Sequence, residues 1–309
     1  MSSDLVISCM VCGKQDNLKQ CAQCKLVHFC GQEHQRSHWP SHKAVCKKVA
    51  KLRKRLEEKQ KIGRESWAEM TGGLSLQFTG SRRDGVQYKE QLQLAEQELE
   101  IDTLVAIESA LNHVVDLRNV PFQPLSDDVL EMATSCLIRL GRDQEAYNYL
   151  KHWVSRYKDH DVLESPDIFE GRAPSAAFLA SVFLVKLRLF TAAEAARHCY
   201  TQGGDCSNPL IVATLKKCGL DYVVNEGPEL GDQLNNTIRM LQDQMEELYL
   251  QVKQLQPDFW SKLPTVHENR EPRHDNSGME TQPVLHCYRA FAATRGSFEF
   301  VQSFTTDPA

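Results

Sequence analysis

The sequence predicts a mainly α-helical protein in which a small Cys/His-rich module is followed by an irregular array of helical hairpins. Three observations predict it. Six of the 11 cysteines fall between Cys9 and Cys46, and the other five (Cys136, Cys199, Cys206, Cys218, Cys287) are scattered. From Gln87 to Thr265 apolar residues recur every three or four positions, which is the helical period. Pro and Gly punctuate that pattern at short intervals, as they do between packed helices.

The chain has 309 residues, 41% hydrophobic and 25% charged, the make-up of an ordinary globular protein with a sizeable core. It has no run of about 18 apolar residues, so no membrane-spanning helix is expected. The start, Met1 to Cys12, lacks the basic residues and long apolar stretch of a signal peptide. The expectation is an intracellular protein, of cytoplasm or nucleus, whose thiols stay reduced. The clustered cysteines then read as metal ligands, not as a disulfide framework.

Charge is uneven. Residues 1–62 hold 13 Lys/Arg against 5 Asp/Glu, while the remaining residues hold 23 against 36. A basic stretch favours an acidic partner or a polyanion. The plainer reading is a solvated helix face.

Four regions follow. Residues 9–46 are the Cys/His module. Residues 47–86 are a basic helix and a Gly/Ser/Thr-rich linker, the helical pattern fading after Ile62. Its Lys47–Arg55 segment has the composition of a nuclear signal, and an exit helix would look the same. Residues 87–265 form an α-helical domain. Leu92, Ala95, Leu99, Leu104, Ile107, Leu111 and Val114 mark one helical stripe, ended by Pro121 and Pro124. Ser126 to Leu140, stopped by Gly141, and Asp143 to Tyr157 make a tight αα-hairpin. Ser175 to Phe190, opened by Pro174, is the most apolar segment and the expected core helix. Shorter helices are expected at 191–200 and 208–218. The turns near Leu140 and Leu187 echo one another at a separation unlike that of a tetratricopeptide repeat, so the array is irregular. Residues 266–309 read as a flexible tail, with aromatic residues that suit a short strand or docking segment.

Within the helical domain, residues 231–256 carry Leu234, Ile238, Leu241, Met245, Leu248, Val252 and Leu255 in an unbroken heptad seam. Two readings stay open: packing on the chain's own body, or a homodimer. The positions flanking the seam are mostly Gln, Asn and Thr, which supply no charge code for a partner.

The Cys/His module has the most specific chemistry. Cys9-x2-Cys12, Cys21-x2-Cys24, Cys30-x3-His34 and His42-x3-Cys46 supply eight ligands. Each Cys-x2-Cys pair aims two thiolates at one point, and each i, i+4 pair sits on one helical face. A zinc ion takes four N/S ligands, so eight make two sites. Protein fills every position, which makes the sites structural and leaves none open for catalysis. A module this small buries too little apolar surface to fold without the metal.

The run from Phe29 to Cys46 resembles the MYND finger signature, with a spacing similar to the finger of oxygen-sensing prolyl hydroxylases. The body resembles, more loosely, MYND proteins with helical C-terminal regions. The resemblance implies two interleaved zincs, one on Cys9, Cys12, Cys30 and His34, the other on Cys21, Cys24, His42 and Cys46. It leaves His28 and His38 outside the ligand set. It also implies a protein-interaction module that binds short proline-containing peptides, with Gln35 and Trp39 in the peptide groove. An indole offers a flat apolar face and one donor to such a peptide. The other reading of Trp39 is packing under the helix. Ala22 stands where some peptide-binding members carry a small hydroxyl residue.

The expected function is therefore a zinc-binding adaptor, with the helical domain supplying a second contact. The alternative is a transcription or chromatin regulator with basic nucleic-acid contacts, although nothing base-reading stands out. An enzyme is not expected. The methyltransferases that carry this finger have an Asn-His-Ser-Cys motif, and here Asn112-His113 is followed by two valines. The hydroxylases need a His-x-Asp pair for iron, and the chain has none.

Overall fold

A computed structural model describes residues 6–71, 83–118, 127–154, 163–169, 175–202, 212, 216, 230–266 and 282–306. The chain divides into two compact units that meet in sequence at Val129 and Leu130. The described residues are dominated by helix, with two short strands.

In the N-terminal unit, β1 (Lys19–Gln20) pairs antiparallel with β2 (His28–Phe29), Lys19 opposite Phe29. Helix α1 (Gln32–Thr71) follows, and α2 (Arg83–Leu99) and α3 (Leu104–Arg118) pack beside it as a hairpin. Two sequence expectations are corrected here. Helix α1 runs eight residues past Gly63, into the expected linker, because extending a nucleated helix costs little per residue. The apolar stripe of 87–117 is two helices, not one. Asp102 adopts a left-handed φ of 56°, and Thr103 caps α3 by accepting the Ala106 N–H at 3.2 Å. Periodicity passes smoothly across such a break because both helices turn their apolar faces to the same core.

In the C-terminal unit, α4 (Asp127–Arg139) and α5 (Asp143–Val154) form the expected hairpin, with Gly141 at φ 70° in the turn. Helix α6 (Ala176–Thr201) is the core helix, opened by Ser175, whose side chain accepts the Phe178 N–H at 3.0 Å. It absorbs the separate helix expected at 191–200, since no breaker interrupts the run and Thr191 donates to the Leu187 carbonyl within it. By length and composition α6 could cross a membrane, but most of its apolar window is buried against its own chain. The helix expected at 208–218 lies outside the described residues, residues 212 and 216 apart.

Helix α7 (Leu230–Leu255) packs on α6. Leu234, Ile238, Leu241, Met245, Leu248 and Val252 are all buried there. Of the two readings left open for 231–256, packing on the chain's own body is the one these six residues take, and only Leu255 at the end of the seam is exposed. Helix α8 (Phe259–Lys262) ends the helical domain, and the flexible tail expected at 266–309 is corrected for its described part, where α9 (Gln282–Ala292) and α10 (Ser297–Thr306) are helices. Their aromatic residues gather around Phe183, with Trp260, Phe291, Phe300 and Phe304 at ring separations of 5.2 to 6.4 Å. The aromatic character noted in the sequence is therefore helix-packing surface, not strand.

Candidate metal centre and interaction surface

Two tight turns build the metal centre. In each Cys-x2-Cys turn the residue after the second cysteine donates its N–H back to the carbonyl of the first, Gly13 to Cys9 and Lys25 to Cys21, both at 2.9 Å. Both residues are left-handed, Gly13 at φ 70° and Lys25 at φ 59°. That conformation is free for glycine and costs lysine about 1 kcal/mol. Helix α1 then delivers His34, His42 and Cys46, with Cys30 just before it.

The eight predicted ligands meet in two groups: Cys9, Cys12, Cys30 and His34, and Cys21, Cys24, His42 and Cys46. Within each, the four ligand atoms lie within 4.8 Å of one another. A tetrahedron with Zn–S bonds near 2.3 Å has S···S edges of about 3.8 Å. The observed Sγ···Sγ separations are 3.6 Å for Cys12–Cys30 and 3.7 Å for Cys21–Cys46. Cys9 Sγ and Cys30 Sγ lie 3.5 and 3.1 Å from His34 Nδ1, and Cys24 Sγ lies 3.4 Å from His42 Nε2. The donor sets fit two zinc ions, interleaved along the chain.

Electrostatics agree. Burial acts to raise the Cys9 thiol, but the Val11, Cys30 and Cys12 N–H groups and the His34 ring outweigh it and hold it down at about 5. A hydrogen bond with Cys12, burial and the Cys9 charge push Cys30 up to about 11. Thiols this crowded cannot all ionise side by side, and a divalent cation removes the conflict. Burial, with the neighbouring His38, lowers the His42 pKa and favours the neutral ring that a metal binds.

The two groups differ in setting. Cys21, Cys24, His42 and Cys46 are all buried, whereas Cys12 is exposed and Cys30 and His34 are half-buried. The inner group joins a core with Leu26, Val27, Phe29, Val49, Leu56, Leu94 and Ala106, so α2 and α3 cover that side of the module. Arg53 and Thr103 tie it down. Arg53 donates to the Cys24 carbonyl while it grips Glu98 at 2.5 Å, and Thr103 Oγ1 donates to the Leu26 carbonyl at 2.7 Å. Both residues escaped the sequence reading. No local signal marked them: Glu98, the partner of Arg53, lies to one side of the Leu92–Ala95–Leu99 stripe and is buried only by tertiary packing.

The two predicted groove residues, Gln35 and Trp39, are both half-buried on α1. Trp39 packs on the core from its edge, with its ring 6.1 Å from that of His42. His28 and His38 stand outside both ligand groups, His28 in β2 and His38 stacked 5.8 Å from the His42 ring.

Comparison with known proteins bears on these same residues. The sequence profile described as the MYND finger matches residues 9–46. Over 38 residues the chain is 47% identical to human Egl nine homolog 1, covering 12% of this chain and 9% of that protein. It is 42% identical over 54 residues to the Arabidopsis thaliana histone-lysine N-methyltransferase ASHR1, covering 18% and 11%. It is 53% identical over 38 residues to the Caenorhabditis elegans dauer abnormal formation protein 25, covering 12% and 10%. The chain thus spans about a tenth of the length of these relatives, and the likeness to them is a likeness of one module. No solved structure matches the chain. The ligand spacing, the two fitted tetrahedra and the profile converge: residues 9–46 are a MYND finger, a zinc-binding protein-interaction domain, joined to a helical body.

Proposed function

We propose that this chain is an intracellular adaptor whose MYND finger recognises a partner peptide, proline-containing, at Gln35 and Trp39, while the helical domain makes a second contact. The observation that carries this reading is the half-burial of Trp39. The indole sits on the edge of the core and leaves apolar surface on which a proline ring can lie. All eight ligands come from protein, so the zincs serve as scaffold and offer no open position for chemistry. The role is binding, not catalysis.

The test is a pull-down from cell extract and a proline-peptide array, both with the full zinc-loaded chain and with Trp39→Ala. The expected result is two zincs per chain in both proteins and loss of groove partners in the variant. Partners that survive Trp39→Ala would move the contact to the helical body and defeat the groove assignment.

A further inference from the structure

Helix α1 has two basic sides, and the structure treats them differently. Arg53 reaches Glu98, and Arg55 and Lys59 both reach the buried Glu90, so the cations turned toward α2 are matched. At 100° per residue, Arg36, Lys43, Lys47, Lys51 and Lys54 fall within about 80° of arc on another side of the helix. All five are exposed, as is Pro40 among them. That side is turned away from Val49 and Leu56, which face the core. No Asp or Glu occurs between Glu33 and Glu57. Among the described residues no ion pair reaches Lys43, Lys47 or Lys51. Lys54 has one loose, exposed pair, 3.8 Å from Glu58, of a kind that contributes little.

We propose that the exposed side of α1 from Arg36 to Lys54 is a docking face for an extended, acidic protein segment with carboxylates at alternate residues. Spacing supports the choice. Lys43, Lys47 and Lys51 are four residues apart, about 6 Å along the helix axis. Alternate side chains of an extended strand share one face and repeat at about 6.6 Å. Such a segment lays one carboxylate beside each ammonium group without distortion. Arg36 to Lys54 spans about 27 Å, the length of roughly eight extended residues. Nucleic acid fits less well. From Lys43 to Lys54 the face offers no aromatic residue to stack a base. This surface begins beside Trp39, one turn from Lys43, and runs on past it along Lys47, Lys51 and Lys54; it does not rest on the groove reading.

The probe is a fluorescein-labelled peptide of about twelve residues in which Glu alternates with Ser. The control replaces Glu by Gln, and an oligothymidylate of similar length is the competitor. Fluorescence anisotropy is read with the full zinc-loaded chain at low and moderate salt. The acidic peptide is expected to bind, the Gln peptide not, with affinity falling as salt rises. Combined Lys43→Glu, Lys47→Glu and Lys51→Glu is expected to weaken binding about tenfold or more. A Lys47→Glu, Lys51→Glu double variant, two or more turns beyond Trp39, is expected to weaken binding in the same direction, which separates this face from the groove. Zinc content and circular dichroism check each variant's fold, and the milder Lys→Gln triple should show the same direction. Three results would overturn the proposal: no binding of the acidic peptide, equal binding by the triple variants, or tighter binding of the oligothymidylate through the same lysines.

Discussion

His286 is 2% exposed, and its Nδ1 has no hydrogen-bond partner among the described residues. Burial, then the charges of Arg289 and Arg139, push its pKa down to about 3. In the unfolded chain the same imidazole titrates near its ordinary 6.5. Below that pH the unfolded state takes up a proton that the folded state refuses. The stabilisation is therefore complete above pH 6.5 and is lost as the pH falls toward 3. At pH 5 the loss from this one group is about 2 kcal/mol. Urea unfolding of the full chain at pH 7 and pH 5, compared with His286→Phe, isolates it. The variant is expected to lose about 2 kcal/mol less between the two pH values, and an unchanged pH slope would mean that His286 can reach solvent. Nothing in the sequence marked this residue, which lay in the expected tail. The eight zinc ligands, by contrast, were fully legible. Their spacing is local, set by two turns and one helix, whereas the state of His286 is set first by burial and by Arg139 from another helix, with only Arg289 a local neighbour on its own helix.

The seam of α7 shows how far periodicity informs about a helix. The pattern fixed which residues of Leu234 to Val252 are buried, and all six are. It was silent on the partner, because a heptad seam presents the same stripe to a second copy as to its own body. The structure supplies α6, a helix so apolar around its circumference that it has no hydrophilic face of its own to steer by. A truncation separates the two readings. Leu241→Ala in a fully buried position is expected to cost about 3 kcal/mol in chemical denaturation. Leu255→Ala, at 57% exposure on the same seam, is expected to change stability by less than about 0.5 kcal/mol. Leu241→Asp should give unfolded or insoluble chain. A well-folded monomer from that substitution, with a dimeric parent in light scattering, would restore the dimer. The break at Asp102 shows the opposite limit. A capping threonine was present at 103, but a continuous stripe outweighed one local signal.

Both compact units are helical, but they rest on different foundations. The C-terminal unit is held by the aromatic cluster around Phe183 and by the seam of α7, and no metal-ligand group occurs among its described residues. The N-terminal unit shares its core with the inner zinc ligands, and Arg53 and Thr103 join α1 and α3 to the carbonyls of that turn. Zinc removal should therefore not stop at the finger. Chelation of the full chain, followed by amide hydrogen exchange, is expected to expose α2 and α3 together with residues 9–46 while α6 and α7 keep their protection. Arg53→Met in the zinc-loaded chain should loosen the same region by about 3 kcal/mol, because it leaves Glu98, whose side chain is 0% exposed, with only the His113 ring 3.7 Å away. Adding Glu98→Leu should recover part of that loss, since an apolar pair replaces an uncompensated buried charge. Retained protection of α2 and α3 without zinc would mean that the hairpin folds on its own and merely rests against the finger. Loss of protection in α6 and α7 as well would mean that the metal supports the whole chain. The expected pattern, confined to one unit, makes zinc the keystone of the finger and its covering hairpin together, a folding unit about three times the length of the ligand-bearing segment.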